Sequence, residues 1–507
     1  MRAGDDDLMV IRRGVRRGHE GAEAPGTQLD APRAGANNQP LSPVPAAMSL
    51  TTSAARRDLA FHLQPSTNLR QVQSEGPLVI TRGEGVYVYD DEGRRYLEGM
   101  SGLWCASLGF SERRLAEAAY RQMVELPFYH SFGGKVPAVS TELAERLIGI
   151  APAGLGRVLF ANSGSEANDT AIKLAWYVNN ALGRPQKKKI IARERAYHGV
   201  TIASGSLTGL AFAHTDFDLP IARILHTDAA YYYRGARAGE SEEAFAARLA
   251  GNLEALILRE GADTVAAFFA EPVMGAGGVI LPPATYFERV QAILRKHDIL
   301  FVVDEVICGF GRTGNMFGSQ TFDLAPDIVT VAKALSASYV PISANLVSNA
   351  LYEILLAQSD KLGIFGHGYT YSSHPVSAAV ALETLKIYEE RDIVAQVRRV
   401  APRMQAGMRS YADHRLVGDV RGVGLIGAIE IVRDKATKQS FDAKAGVAAF
   451  LVRRAQHHGV ILRSMPGDIV AFCPPLIVQE SEIDEMLAGF GKALDDTAAM
   501  VREKGLA

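Results

Sequence analysis

Five short apolar runs in the middle of the chain each lead into a residue able to do chemistry. The run DIVTVA, residues 327–332, ends at Lys333, and ILFVV, residues 299–303, ends at Asp304 and Glu305. RVLF, residues 157–160, leads into Ser163-Gly164-Ser165, and KIIAR, residues 189–193, into Tyr197, His198 and Gly199. TVAAFFA, residues 264–270, ends at Glu271, and a loop with Gly275, Gly277 and Gly278 follows.

Each group has an ordinary reading and a chemical one. Lys333 fits a surface charge that follows a core segment. In a dry cleft, its amine would instead lose basicity and become a nucleophile able to form a Schiff base. Asp304 fits a buried carboxylate holding backbone amides, but a carboxylate in that position also suits a positive partner such as a protonated ring nitrogen. Ser163 and Glu166 have capping-box spacing. A loop of small residues opening a helix presents free N–H groups and the positive end of the helix dipole, which is a phosphate site. Tyr197 fits simple packing or stacking on a flat ring. His198 reads as a structural hydrogen-bonding histidine, with no second ligand at metal spacing. The glycines after Glu271 let a loop approach a ligand closely, although GAGG is no dinucleotide fingerprint.

The elements around these groups decide between the readings. From about residue 110, strands alternate with helices, which predicts an α/β fold with a mostly parallel sheet covered on both faces. Ligands of such sheets bind outside the carboxyl ends of the strands. Asp304 lies 29 residues before Lys333, enough for one loop and one strand. The five groups should therefore converge. A phosphate cup, a stacking ring, an acid for a ring nitrogen and an imine-forming lysine are together the demands of pyridoxal phosphate.

The 507 residues carry 48% hydrophobic residues and a net charge of −2. Such a balance excludes a strong charge-driven partnership with nucleic acid or an anionic membrane. No stretch approaches the roughly 20 apolar residues of a membrane span. The three cysteines, Cys105, Cys308 and Cys473, form no CxxC pair. That argues against a disulfide framework or a metal cluster and leads to an expected cytoplasmic location. Residues 1–47, rich in Gly, Pro, Ala and charge, read as a disordered extension, with Met48 as an alternative start. Three early aspartates weigh against a signal or transit peptide. Residues 48–109 read as an N-terminal segment contributing to a small domain, 110–375 as the large domain and 376–507 as a C-terminal small domain.

In order along the chain, FANSGSEANDTAIKLA, AYHG, AEPVMGAGG, VVDEVICGFGRTG, VAKAL and HGYTYSSHP resemble the class III, fold type I, pyridoxal-phosphate aminotransferases. SGLWCASLGF, LPFYHSF and VILRSMPGDIVAFCPPL are most similar to the ω-amine or β-alanine:pyruvate branch. The resemblance implies a large domain with a mostly parallel sheet and a smaller α+β domain built from both chain ends. Lys333 would hold the cofactor and shuttle the proton, and Asp304 would pair with the ring nitrogen. Val306 and Tyr197 would pack on the ring's two faces. Gly164 and Ser165 would bind the phosphate, joined by Thr370 of a neighbouring subunit in a homodimer or dimer of dimers. Trp104, Phe132 and Glu271 would lie on the substrate side. Arg463 would grip the carboxylate of a keto acid, a task suited to a guanidinium.

The implied activity is ping-pong transfer of an amino group from a primary amine or ω-amino acid to a keto acid, pyruvate. A same-fold aminomutase or decarboxylase, or a non-catalytic regulator, is the alternative. Several residues depart from the family pattern. Ala334, Ala337, Ser343 and Ala344 should crowd the loop after Lys333. Met274 replaces Gln, Ser373 replaces Gly, and Gly133 stands where a second aromatic is usual.

Overall fold

The computed structural model describes residues 52–506. The extension expected over residues 1–47 lies outside them. The chain divides into two units, residues 1–77 and 78–507. The described part of the first holds two helices, Ser53–Phe61 and Leu69–Glu75. Their N-termini are capped by Thr52 Oγ1, which accepts from Ala55 N, and by Asn68 Oδ1, which accepts from Gln71 N.

The second unit is built on three sheets. In chain order the strands are β1 Ile80–Glu84, β2 Tyr87–Asp90, β3 Arg95–Glu98, β4 Leu155–Ala161, β5 Lys189–Arg193, β6 Ile224–Thr227, β7 Val265–Ala270 and β8 Leu300–Asp304. They continue with β9 Ile328–Val331, β10 Ser343–Ser348, β11 Val417–Val423, β12 Ile426–Ile431, β13 Val460–Ile461, β14 Arg463–Met465 and β15 Ile469–Phe472. The large sheet has seven strands in the order β4-β10-β9-β8-β7-β5-β6. Pairings among β9, β8, β7, β5 and β6 are parallel, and β10 alone runs against its neighbours β9 and β4.

Burial on both faces explains why these strands read as continuous apolar runs. Ile190, Phe269, Val302 and Ile328 pack into one core with Ala171, Leu174, Ala175 and Val178 of the helix Gly164–Ala181, called α1. Their chain neighbours Ile191, Phe268, Phe301 and Val329 point to the other face. There they join Leu249 and Leu253 of the helix Glu242–Glu260 and Phe287 and Val290 of the helix Tyr286–Lys296. The alternation follows the period-two geometry of a strand. Burying each large side chain contributes roughly 1.5–3 kcal/mol.

Of the two small sheets, the first combines strands from before and after the large sheet, and the second comes from residues 417–472 alone. One has the order β1-β2-β3-β13, with β13 joining β3 in parallel; the other is antiparallel, β11-β12-β15-β14. The Asp90–Gly93 turn closes the β2–β3 hairpin, with Gly93 at φ +82°. The segment after β3 is tied to the end of β15. Cys473 N donates to Gly99 O (2.7 Å), Ser101 Oγ to Cys473 O (2.6 Å), and Leu476 N to Ser107 O (2.8 Å).

Beside Asp304, the fully buried Glu305 closes the loop that follows β8. Its carboxylate accepts from Gly318 N (2.9 Å), Ser319 N (2.5 Å) and Ser319 Oγ (2.7 Å). Removing it strands these donors away from water. Glu305→Ala should lower the unfolding free energy by about 3 kcal/mol in chemical denaturation; unchanged stability would show that the loop does not depend on this carboxylate.

Candidate active site

The carboxyl ends of β5, β7, β8 and β9 and the loop after β4 meet at one edge of the large sheet. They enclose a cavity of about 140 Å³. Lys333, Asp304, Gly164, Ser165, Tyr197, Val306 and Glu271, all expected from the sequence, line it. His198, Asn168, Ile307 and Ala332 line it too.

Asp304 is the last residue of β8 and is almost fully buried. Its Oδ2 accepts from His198 Nδ1 (2.8 Å) and Asn168 Nδ2 (2.7 Å), and its Oδ1 from Val306 N (3.0 Å). Asn168 Nδ2 also donates to His198 O (2.7 Å). The histidine is thus the structural hydrogen-bonding residue expected from the sequence, and the group it holds is the carboxylate. Asn168 was not singled out from the sequence, although a polar residue beside the apolar stripe of α1 was the available signal.

Lys333 follows β9 with φ +49°, a left-handed conformation that costs a non-glycine residue roughly 1–3 kcal/mol and is typical of functional sites. Its amine makes no hydrogen bond or ion pair among the described residues. Burial lowers its pKa, with Cys105, Asp304, Glu271 and Cys473 opposing. That is the environment of a nucleophilic amine. The loop behind it is firmly held, since Tyr388 Oη donates to Ala334 O (2.6 Å) and Tyr339 Oη accepts from Glu112 N (2.5 Å). The expected crowding at Ser343 takes the form of a bond: its Oγ donates to Ser163 O (2.8 Å), joining β10 to the start of α1. Ser373, where the family pattern has glycine, adopts left-handed backbone at φ +59°.

At the start of α1, Ser163 Oγ accepts from Glu166 N (3.2 Å). The return bond goes one residue further out than expected, from Asn162 N to Glu166 Oε2 (2.8 Å). Ser165 Oγ accepts from Val200 N (3.1 Å) and so ties this turn to the Tyr197 loop. A Cβ on Gly164 would stand 3.2 Å from Val306 Cγ1 and 3.3 Å from its Cγ2. The missing side chain leaves a cradle beneath a helix N-terminus, the place for a phosphate.

Glu271 is buried, which raises its pKa. Its oxygens accept from Tyr197 N (3.0 Å) and Gly275 N (2.9 Å), so it fixes the two loops that flank the cavity. The glycines after it are not spared for a ligand. A Cβ on Gly275 would strike Ile307 at 2.5 Å, and one on Gly277 would strike Arg195 O at 2.1 Å.

The remaining expected residues lie off this cavity. Trp104 is buried in a cluster with Met100, Ile307 and Met465. Phe132 is 43% exposed and packs near Gly368, while Thr370 is exposed on the loop that follows. Arg463, on β14, is partly buried; burial lowers its pKa, with the nearby Tyr197 phenol opposing.

A buried carboxylate held by three hydrogen-bond donors, a half-buried amine with no hydrogen-bond partner among the described residues and a glycine cradle at a helix N-terminus fit pyridoxal phosphate. The class III aminotransferase family matches residues 70–494. The chain belongs to that family and is a fold type I, pyridoxal-phosphate-dependent aminotransferase. It is 53% identical to the tomato (Solanum lycopersicum) gamma aminobutyrate transaminase 3, chloroplastic, over 84% of this chain and 82% of that one. It is 52% identical to vanillin aminotransferase from Capsicum annuum, over 84% and 93%. The solved omega transaminase from Pseudomonas jessenii in complex with PMP superposes with a TM-score of 0.87 at 53% identity, covering 89% of this chain and 99% of that one.

These relatives overturn the expected cytoplasmic location. The tomato protein is named chloroplastic, and a second tomato relative at 50% identity, covering 87% of this chain and 86% of that one, is named mitochondrial. Unpaired cysteines suit any reducing compartment, so their pattern could not separate cytosol from organelle.

Gly164→Ala puts a methyl into the cradle against Val306 and should weaken retention of pyridoxal phosphate about tenfold, read by equilibrium dialysis. Retention equal to the parent's would remove Gly164 from the cofactor site.

Proposed function

We propose that the enzyme moves the amino group of a primary amine or ω-amino acid to a keto acid, pyruvate, in two half-reactions. The observation that carries the acceptor side is Arg463. This guanidinium is partly buried, has no ion pair among the described residues, and lies close enough to Tyr197 for each to influence the other's ionisation. A carboxylate is the ligand it lacks. On the donor side, the tomato relatives are named for γ-aminobutyrate, an ω-amino acid, and the solved relatives for omega transaminase activity. Both support a donor whose amine is not held beside a carboxylate.

When bound, pyridoxal phosphate supplies the carbonyl that captures an amine and a protonated ring that withdraws electrons. Asp304, locked by His198, Asn168 and the Val306 amide, holds the proton on the ring nitrogen. Lys333 Nζ would hold the cofactor and, once free, would act as the base toward the proton on the amine-bearing carbon. Burial lowers the basicity of this amine, which suits that task. Arg463 would orient the incoming keto acid, and Tyr197 and Val306, which line the cavity, would confine the ring. Exposed Phe132 and Thr370, with the exposed Phe128–Tyr371 ring contact (5.7 Å), support a homodimer, or a dimer of dimers, in which a neighbouring subunit completes the site.

Lys333→Ala should abolish turnover and the visible band near about 420 nm of the lysine-held cofactor; full activity in this variant would exclude the mechanism. A donor screen with pyruvate should yield alanine in step with amine loss, whereas amine turnover without any acceptor would favour an aminomutase or decarboxylase. Arg463→Ala should raise KM for pyruvate at least about tenfold while sparing an uncharged aldehyde acceptor.

A further inference from the structure

Two residues before Tyr197 stands Arg195, at the end of the β5 segment and in the left-handed region at φ +64°. Its backbone is fixed on both sides. Its N–H donates to Gly209 O (2.7 Å), and its own carbonyl lies so close to Gly277 that a Cβ there would stand 2.1 Å away. Its guanidinium bridges two loops. Nε and Nη2 donate to Gly277 O (3.0 and 2.7 Å), and Nη2 also donates to Pro466 O (3.0 Å).

Pro466 opens the tight turn Pro466–Asp468 that joins β14 to β15. Its next two residues are left-handed, Gly467 at φ +94° and Asp468 at φ +53°. β14 begins at Arg463, paired with Ala471 across that hairpin. Arg195 thus connects the loop that positions Tyr197 to the hairpin that positions Arg463.

The surroundings explain why a guanidinium does this. The nearby buried Glu430 is already engaged by Arg234 (Nε to Oε1, 2.6 Å) and Arg421 (Nη1 to Oε2, 3.1 Å). Arg195 has no ion pair among the described residues, and its donors go to backbone carbonyls. Arg421 holds the adjacent Gly278 O from the other side (2.9 and 2.7 Å), and both guanidinium carbons lie near the Tyr231 ring, at 5.3 and 4.8 Å. A cavity of about 440 Å³, lined by Arg195, Tyr231, Gly467 and Ile469, opens beside the turn, where Asp468 also accepts from Ala448 N (Oδ1, 3.0 Å) and Ile431 N (O, 2.8 Å); Arg195 is the tie that links this hairpin to the Tyr197 loop. A lysine would carry one ammonium to one of these carbonyls and could not reproduce the fork.

We propose that Arg195 is a positioning residue for keto-acid binding, acting through the hairpin of Arg463. The proposal rests on the assignment of Arg463 to the acceptor carboxylate. The pyridoxal-phosphate-loaded enzyme and its variants Arg195→Ala, Arg195→Lys, Arg463→Ala and the Arg195→Ala/Arg463→Ala pair test it. The two half-reactions are followed separately, with pyruvate and an uncharged aldehyde as acceptors, and the affinity for propionate, an unreactive carboxylate, is measured by calorimetry.

Arg195→Ala should raise KM for pyruvate and Kd for propionate about tenfold, with kcat and the aldehyde reaction changing less than about threefold. Arg195→Lys should show the same pattern in weaker form, and the paired variant should be no worse with pyruvate than Arg463→Ala alone. Equal losses with pyruvate and aldehyde, unchanged KM and Kd, or full additivity in the paired variant would overturn the proposal while leaving the role of Arg463 intact. If Arg463→Ala itself fails to separate pyruvate from aldehyde, the reading beneath it fails and the proposal falls with it.

Discussion

A buried carboxylate and a half-buried amine, at the ends of adjacent strands and not paired with each other by a hydrogen bond, are the constraint around which this protein is organised. Burying an ionisable group without compensation is costly. The structure meets that cost for Asp304 with three donors, Asn168 on α1, His198 in the loop after β5, and the Val306 amide of its own loop. It leaves Lys333 without such partners, and burial holds its basicity down. The large sheet makes this asymmetry possible, because its parallel strands deliver their ends to one edge while helices keep water from both faces.

A second layer of contacts keeps the edge in shape. Glu271 joins the Tyr197 and Gly275 loops, Ser343 joins β10 to the start of α1, and Ser165 joins that start to Val200. These bonds fix the cavity wall through backbone groups of several elements.

The five strand ends were legible because each combined a run of apolar residues with one residue of unsuitable chemistry for a core. The sheet's direction was legible from the alternation of strands and helices. What escaped was relational. Asn168 sits within an ordinary helical pattern, and nothing in its neighbours says that its amide faces a carboxylate two elements away. The glycines after Glu271 suggested a ligand, but the same absence of Cβ serves Ile307 and the Arg195 carbonyl. Arg195 looked like any charge at a strand end, since its partners are carbonyls hundreds of residues or a whole loop away. Phe132 and Thr370 lie in stretches without periodic pattern, where the resemblance alone placed them.

The parallel pairing of β3 with β13 sets Leu97 beside Val460 and Glu98 beside Ile461. Contacts of such separation form late, because a long loop must close before they are rewarded. During synthesis the β1–β3 meander leaves the ribosome with one edge unpaired and waits through most of translation for its fourth strand. The segment carrying Trp104 has its bonds to Cys473 available only once that residue has been made. A nascent chain can thus acquire its large sheet, with Lys333 and Asp304 in place, well before the neighbouring layer closes over them. An exposed strand edge of that kind is where a chaperone, or a misfolded neighbour, would find its hold.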